Sequence, residues 1–368
     1  MNPTSLRRIA APGVAAIALG LAVSACGAGN ESSASSDSSS DLSGKLDGAG
    51  SSAQESAMDA WRASFQKQNS GATVNYDPSG SGAGIEKFNA GGIDFAASDS
   101  ALNADKGEID AAKKRCGADA IEVPNYVSPI AVLYNVQGVK DLQLSAKTIA
   151  QIFDGKITKW NDAAIAAENK GAKLPSTTIS PVHRSDESGT TDNFTDYLEQ
   201  ASEGAWSHPA DKVWPIQSGE AANGTSGVVA AVGQGDGSIG YADLSQAGDL
   251  SSVKIKAGSA YVAPSAAGAA KAMEASPVED GRPESDIAIK VDRKSTEAGA
   301  YPLLLASYLV ACPTYDDAKT ADNVKGFLSY VVSTEGQQAG ADNAGSAPLP
   351  ASLQEKAAKI VDTISSKG

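Results

Sequence analysis

The stretch Ile179-Ser180-Pro181-Val182-His183-Arg184-Ser185-Asp186-Glu187-Ser188-Gly189-Thr190 decides the fold class of this chain. Residues 179–182 read as a short strand. A polar loop follows, and beyond it Phe194, Tyr197 and Leu198 share one helical face. A strand that passes through a glycine-bearing loop straight into a helix is the repeating unit of α/β proteins. The unit recurs upstream. Residues 45–50 run into Gly48-Ala49-Gly50-Ser51-Ser52, then a helix with Ala53, Ala57, Trp61 and Phe65 at a spacing of four. Ser52-Ala53-Gln54-Glu55 reads as a capping box at its start. Residues 73–76 form a strand that turns through Pro78-Ser79-Gly80-Ser81-Gly82-Ala83-Gly84 into a short helix at 85–89, and a buried strand at 93–97 ends at Ser98-Asp99. An apolar strand at 130–135 and helices near 145–153 and 161–168 fill the middle. The pattern predicts an α/β fold with mainly parallel pairing and no solenoid repeat.

The chain has 368 residues, enough for about two domains of common size. It is 41% hydrophobic and 20% charged, which suits a soluble globular protein. Lys and Arg number 30 against 44 Asp and Glu, leaving −14 and arguing against nucleic acid or anionic lipid as main partners. Two histidines and three cysteines are too few soft ligands for a zinc or iron–sulfur site, so neither metal nor cofactor is expected. The aromatic content of 5% is low for a lectin or a base-stacking surface.

Arg7 and Arg8 precede fifteen largely apolar residues, 9–23. That run is shorter than the ~20 residues a membrane span needs, and has the anatomy of a secretory signal. Leu21-Ala22-Val23-Ser24-Ala25-Cys26 resembles the lipobox of bacterial lipoproteins, in which the cysteine is acylated and becomes the new N-terminus. The alternative is a plain signal peptide with an incidental cysteine. Removing residues 1–25 would leave 28 Lys and Arg against 44 Asp and Glu, or −16. Residues 27–43 hold eight serines and no apolar period. Residues 26–43 therefore read as a flexible tether with a reach of ~23 Å. With Cys26 lipidated, Cys116 and Cys312 remain as an even pair in an oxidising compartment. A disulfide between them is expected, with two separate buried thiols as the alternative.

Three loops share one chemistry. Gly48-Ala49-Gly50-Ser51-Ser52, Gly80-Ser81-Gly82 and Ser188-Gly189-Thr190 each set hydroxyls and glycines at a helix start, where N–H groups are unpaired and the helix dipole is positive. One such loop is a capped helix and nothing more. Three in one α/β chain, with Arg184 just before the third, point to a small tetrahedral oxyanion. Residues 48–53 also fit a dinucleotide fingerprint with Asp77 as its acid, but an exported protein has no nicotinamide pool. A Ser–His–acid triad is weak: there is no Gly-x-Ser-x-Gly elbow, and His183 sits beside Arg184. Trp160 and Trp214 read as packing anchors.

Val74-Asn75-Tyr76 followed by Gly80-Ser81, and Asp94-Phe95-Ala96-Ala97-Ser98-Asp99, resemble the phosphate-binding lipoproteins of the bacterial phosphate ABC importer, the PstS family. So do Ile152-Phe153-Asp154-Gly155-Lys156-Ile157-Thr158-Lys159-Trp160-Asn161-Asp162, residues 184–190, Trp214-Pro215-Ile216 and Gly237-Ser238-Ile239-Gly240-Tyr241. The resemblance runs from about Lys45 to near the C-terminus, in the family's order.

It implies a two-lobed, type II periplasmic-binding-protein-like fold with phosphate in the interlobe cleft. Residues 44–128 and 300–368 would form the first lobe and 129–299 the second. The Cys116–Cys312 bond would then lie within the first lobe, leaving the hinge free. By the resemblance, phosphate is bound by Ser52, the Ala53 N–H, Ser81, Asp99, Arg184, Ser188, Gly189 and Thr190, and Asp186 positions the arginine. Asp99 would accept a hydrogen bond from the P–O–H group that phosphate keeps and sulfate lacks; the alternative is a helix cap or a partner for Arg184. The chain departs from the family at Ala53, where an aromatic is usual, and at Pro78-Ser79. The implied protein is no enzyme: it is an extracytoplasmic, lipid-anchored solute-binding protein that serves the permease and ATPase subunits of the importer. Another oxyanion such as sulfate or molybdate, or a secreted phosphoesterase on the same scaffold, are the competing readings.

Overall fold

The computed structural model describes residues 42–368; the leader, Cys26 and the serine-rich stretch up to residue 41 lie outside the described residues. β1 (Ser43–Gly50) starts at the last residue of the segment read as a tether and leads through residues 51–54 into α1 (Glu55–Gln68). β2 (Gly71–Asp77) feeds α2 (Ser81–Asn89), and β3 (Phe95–Ser98) leads past Asp99 to α3 (Glu108–Cys116). Then come β4 (Ile121–Asn135), β5 (Gln143–Leu144), α4 (Ala146–Phe153), α5 (Ala163–Glu168) and β6 (Ser180–Arg184). α6 (Gly189–Ala201), β7 (Glu220–Ala222), α7 (Gly224–Gln234) and β8 (Ser238–Asp243) follow. The remainder is β9 (Ser251–Ser252), β10 (Lys254–Ala257), β11 (Ala260–Val262), α8 (Ala266–Glu274), β12 (Leu304–Ala311) and β13 (Thr314–Tyr315). Helices α9 (Ala318–Val332), α10 (Thr334–Ala344) and α11 (Ala351–Val361) precede the short β14 (Ser365–Ser366).

The main sheet runs β2-β1-β3-β12-β4-β8-β6-β7, with β9 beside β4. The α/β expectation holds. The expectation of mainly parallel pairing does not: β1 pairs parallel with β2 and β3, and β6 with β7 and β8, but β12 is antiparallel to β3 and β4, and β4 to β8 and β9. The cause is connectivity. α3 crosses from β3 to β4, but β12, arriving late in the chain, runs the opposite way between them, and β8 runs opposite to the far half of β4, so the middle of the sheet is antiparallel.

β4 is the seam, buried along all but its last residue. Residues 121–129 pair with β12 and residues 130–135 with β8. Its two prolines sit where a central strand tolerates them. Pro124 lies at the register shift opposite Ser307 and Tyr308, and Pro129 at the end of the β12 pairing. That irregularity leaves Asn125 unpaired in the register and buried, donating to Gln54 Oε1 at 2.7 Å.

The capping box read at 52–55 does not form. α1 begins at Glu55, and the side chain of Gln54 at its N-cap accepts no bond from the helix's first turn. Ser51 Oγ accepts the Ala53 and Gln54 N–H groups instead, at 3.1 and 3.3 Å. Ser52 is drawn away by Thr225, 173 residues on, so a tertiary hydrogen bond has displaced the local one. The helix still buries the expected face, Ala57, Trp61 and Phe65, with Met58 added. Cys116, the last residue of α3, is disulfide-bonded to Cys312, just past β12, with Cα atoms 5.2 Å apart.

Candidate functional site

The loops after β1, β3 and β6 meet at Asp99, which is buried at 2% exposure. Its Oδ1 accepts the hydroxyls of Ser51 at 2.5 Å and Ser307 at 2.9 Å, and its Oδ2 that of Thr190 at 3.2 Å. Its N–H donates to Ser81 Oγ at 3.1 Å, and its carbonyl accepts Asn193 Nδ2 at 2.6 Å. The starts of α2 and α6 thus converge on one residue, α2 on its main-chain N–H and α6 on its carboxylate. Gly189 makes the approach possible, since a Cβ there would fall 2.8 Å from both Asp99 Cβ and Ser81 Oγ. Burial pushes the Asp99 carboxyl up, against the hydroxyl bonds from Ser51, Ser307 and Thr190 and the charge of Arg184.

Arg184 ends β6, is 3% exposed, and grips Asp186 with two nitrogens: Nε to Oδ1 at 2.7 Å, and Nη2 to Oδ2. Burial alone would raise the Asp186 carboxyl, but the hydrogen bonds and charge of Arg184 hold it below its usual value. Asp186 Oδ1 also accepts the Gly224 N–H at 3.1 Å. Gly80, at φ 100°, could carry no side chain here, because a Cβ would strike the Asp186 carboxylate. Behind the arginine, Tyr241 Oη accepts the Arg184 N–H at 3.3 Å and shares a hydrogen bond with Thr191 Oγ1 at 2.7 Å.

Every residue implied by the resemblance lies in this buried region, though not each in the role expected. Ser52 Oγ accepts the Thr225 N–H at 3.1 Å, on the α7 side beside Gly224, and does not touch Asp99. The Ala53 N–H is taken by Ser51. Ser188 Oγ caps α6 through the Thr191 N–H. Gln246 Nε2 donates to the carbonyls of Ser52 at 2.6 Å and Ala53 at 3.2 Å, and Glu187 O accepts the Gly82 N–H at 3.0 Å.

Sequence reasoning placed Ser51 in the first hydroxyl loop and Tyr241 in a family run without giving either a role, and it missed Asn193, Thr225, Gln246 and Ser307. For Thr225 a signal existed: Asn223-Gly224-Thr225-Ser226 repeats the glycine–hydroxyl pattern of the other three loops at the start of α7. Ser307 carried none, standing beside Tyr308 in an otherwise apolar strand.

The two tryptophans are packed, as read. Trp160 is fully buried and donates to Gly237 O at 3.0 Å, and Trp214 stacks on His183 at 5.1 Å and 11°. His183 Nδ1 donates to Arg184 O at 2.9 Å, which leaves Nε2 as the basic nitrogen, and among the described residues no hydroxyl is hydrogen-bonded to it. Among the described residues no group of three or more His, Cys, Asp or Glu is placed to hold a metal ion.

A family model described as a PBP superfamily domain matches residues 35–335. The phosphate-binding protein PstS2 of Mycobacterium bovis (strain BCG / Pasteur 1173P2) is 38% identical over 355 residues, covering 94% of this chain and 95% of its own. The phosphate-binding protein PstS 3 of Mycobacterium leprae is 38% identical over 320 residues, 86% of each chain. Among solved structures, the phosphate-bound periplasmic phosphate-binding protein PfluDING superposes with a TM-score of 0.68 at 22% identity, over 85% of this chain and 92% of its own. The phosphate-binding protein from Stenotrophomonas maltophilia gives 0.66 at 20% identity, over 86% and 93%. The chain therefore belongs to the PBP superfamily and, within it, to the family of PstS phosphate-binding proteins.

Proposed function

We propose that this chain captures inorganic phosphate outside the cytoplasm and delivers it to the permease and ATPase subunits of an ABC importer. One observation carries the reading: a buried carboxylate ringed by hydroxyls, next to an arginine already oriented by its own aspartate. Near neutral pH phosphate keeps at least one proton, and Asp99 accepts a hydrogen bond from that P–O–H group, while Arg184 meets the charge with a desolvated, bidentate-capable guanidinium. Ser52, Ser81, Ser188 and Thr190, with the Ala53 and Gly189 N–H groups, supply the remaining donors by exchanging their present protein partners for ligand oxygens. Sulfate offers Asp99 only lone pairs in a low-dielectric site, and is rejected. No hydroxyl in the site has an adjacent histidine base, which favours binding over phosphoester hydrolysis.

The two lobes are residues 44–128 with 300–368, and 129–299. The change of pairing partner within β4 at Pro129 and Ile130 supports a division there. Residues 1–25 direct export, acylated Cys26 anchors the protein in the cytoplasmic membrane, and residues 26–43 are its tether. No helix among the described residues is long and apolar enough to cross a membrane.

Calorimetric titration of the phosphate-stripped protein with phosphate and sulfate in parallel tests the function. Heat with phosphate and none with sulfate is expected; equal affinity for both overturns the choice of ligand. For the anchor, Cys26→Ser should move the protein from the membrane fraction to the medium, and unchanged fractionation overturns it.

A further inference from the structure

Outside the loops around Asp99 and Arg184, residues 202–213 lead from the end of α6 to the loop that follows Asp99. Lys212 is only 4% exposed. Its Nζ donates to both carboxylate oxygens of Glu108, at 2.6 and 2.8 Å. Glu108 is the first residue of α3, and its Oε2 also accepts the Asn103 N–H at 2.8 Å. The far end of α3 is stapled to the end of β12 through Cys116–Cys312, so Glu108 has a fixed place. The backbone of the same lysine does a second job, its carbonyl accepting the Ser188 N–H at 2.9 Å. One residue thereby grips the Asp99 loop through its side chain and the Ser188 loop through its main chain. The neighbouring Lys106–Asp211 pair, 2.6 Å apart, is half-exposed and adds little.

An ammonium this deeply buried is costly unless its partner is in place, and removing the partner costs more than the pair itself contributes. Glu108 and Lys212 fall in different lobes of the division given above. In a parted cleft both are hydrated; on closing both are dried at once, and only one register lets them meet. We propose that Lys212 and Glu108 form an interlobe latch that positions the Asp99 and Ser188 loops in the closed protein, an inference that rests on the phosphate capture proposed above. Neither side chain hydrogen-bonds to Asp99, Arg184 or Asp186. They act through the loops, and their effect falls on how long the closed form lasts.

The test combines titration calorimetry and stopped-flow kinetics with inorganic phosphate on the wild type, Lys212→Met, Glu108→Gln and the double variant. Each single change should raise Kd about 10–100-fold, through faster dissociation, with the association rate within about threefold of wild type. The double variant should be no weaker than the weaker single, since the pair is already broken. Affinities within about twofold of wild type in both singles, losses that add in the double, or a loss carried by association overturn the latch. If the wild type binds no phosphate, the proposed function fails, and the latch is judged by small-angle scattering of the ligand-free proteins. The variants must then show a larger radius of gyration than the wild type; equal radii overturn it.

Discussion

Two charge clusters flank the loop that follows β3, and each sets one arginine beside a deeply buried carboxylate. In one, Arg184 engages Asp186 while Asp99 lies deeper. In the other, Arg282 engages Asp286 at 2.9 Å while Glu122 lies deeper, with no exposed surface. The loop touches both, for Leu102 N–H donates to Glu122 Oε1 at 2.9 Å, three residues after Asp99. The difference is in the remaining partners. Glu122 is met by Arg282 directly at 3.3 Å, and the same arginine also holds Glu279 at 2.6 Å, so its Nε and Nη1 are committed to three carboxylates. Asp99 is met by three hydroxyls, which can rotate and serve another oxygen. Fixed guanidinium bonds make a staple, and rotatable hydroxyls make a site.

The comparison breaks first at the arginines. Arg184→Ala should cost about 2–5 kcal/mol of phosphate affinity by leaving a dried anion facing only dipoles. Arg282→Ala should leave affinity within about threefold and instead lower folding stability by about 3–5 kcal/mol, as a buried acid loses its cation. Calorimetry and denaturant unfolding on both variants decide this; if Arg184→Ala loses stability but not affinity, the two clusters have been assigned the wrong way round.

Cys116→Ser should reduce stability by about 2–4 kcal/mol, because the bond closes a long loop, 196 residues apart in sequence, in the unfolded chain. It joins the end of α3 to the end of β12, the strand that supports Asp99 through Ser307. Phosphate affinity should fall only as far as Glu108 is loosened. Unfolding with and without reductant measures it.

Asp99→Asn sharpens the contrast in selectivity. The amide no longer repels an unprotonated oxyanion, so the phosphate-to-sulfate affinity ratio should fall by about 10²-fold or more. Glu122→Gln should leave the ratio unchanged. A ratio unmoved in Asp99→Asn shifts the discrimination to the donor loops.

The smallest effect is in pH. Burial first, and then the neighbouring Asp286 charge, push the Glu122 carboxyl well above its usual value, with Arg282 opposing. The folded state then holds a proton that the unfolded chain releases near pH 4.5. Stability should therefore fall as pH rises from there through the folded-state value. Glu122→Gln should flatten that slope in melting curves taken from pH 4.5 upward, and an unchanged slope removes Glu122 as its source. Asp186 slopes the other way: its lowered value contributes stability above the unfolded pKa of 3.8 that is lost only in stronger acid.

The elements that recur in sequence were legible because each is a local matter. The four-residue spacing of Ala57, Trp61 and Phe65 marks a helix face before anything packs on it, and the glycine–hydroxyl loops mark helix starts by their own chemistry. Residues 145–153 and 161–168 became α4 and α5 with Ser145 and Asp162 as their caps, since a cap needs only its own first turn. The family could be read from those runs for the same reason. What the tertiary structure alone decided was every bond between distant residues: Ser52 drawn to Thr225, Ser307 set against Asp99 at a strand irregularity, and Lys212 across to Glu108. The antiparallel seam of β4 and β12 belongs with them, because strand direction depends on where the chain returns, and no window of sequence contains both strands. A hydroxyl has the same local preferences whether its partner is two residues away or two hundred, so its role is fixed only when the fold has chosen its neighbour.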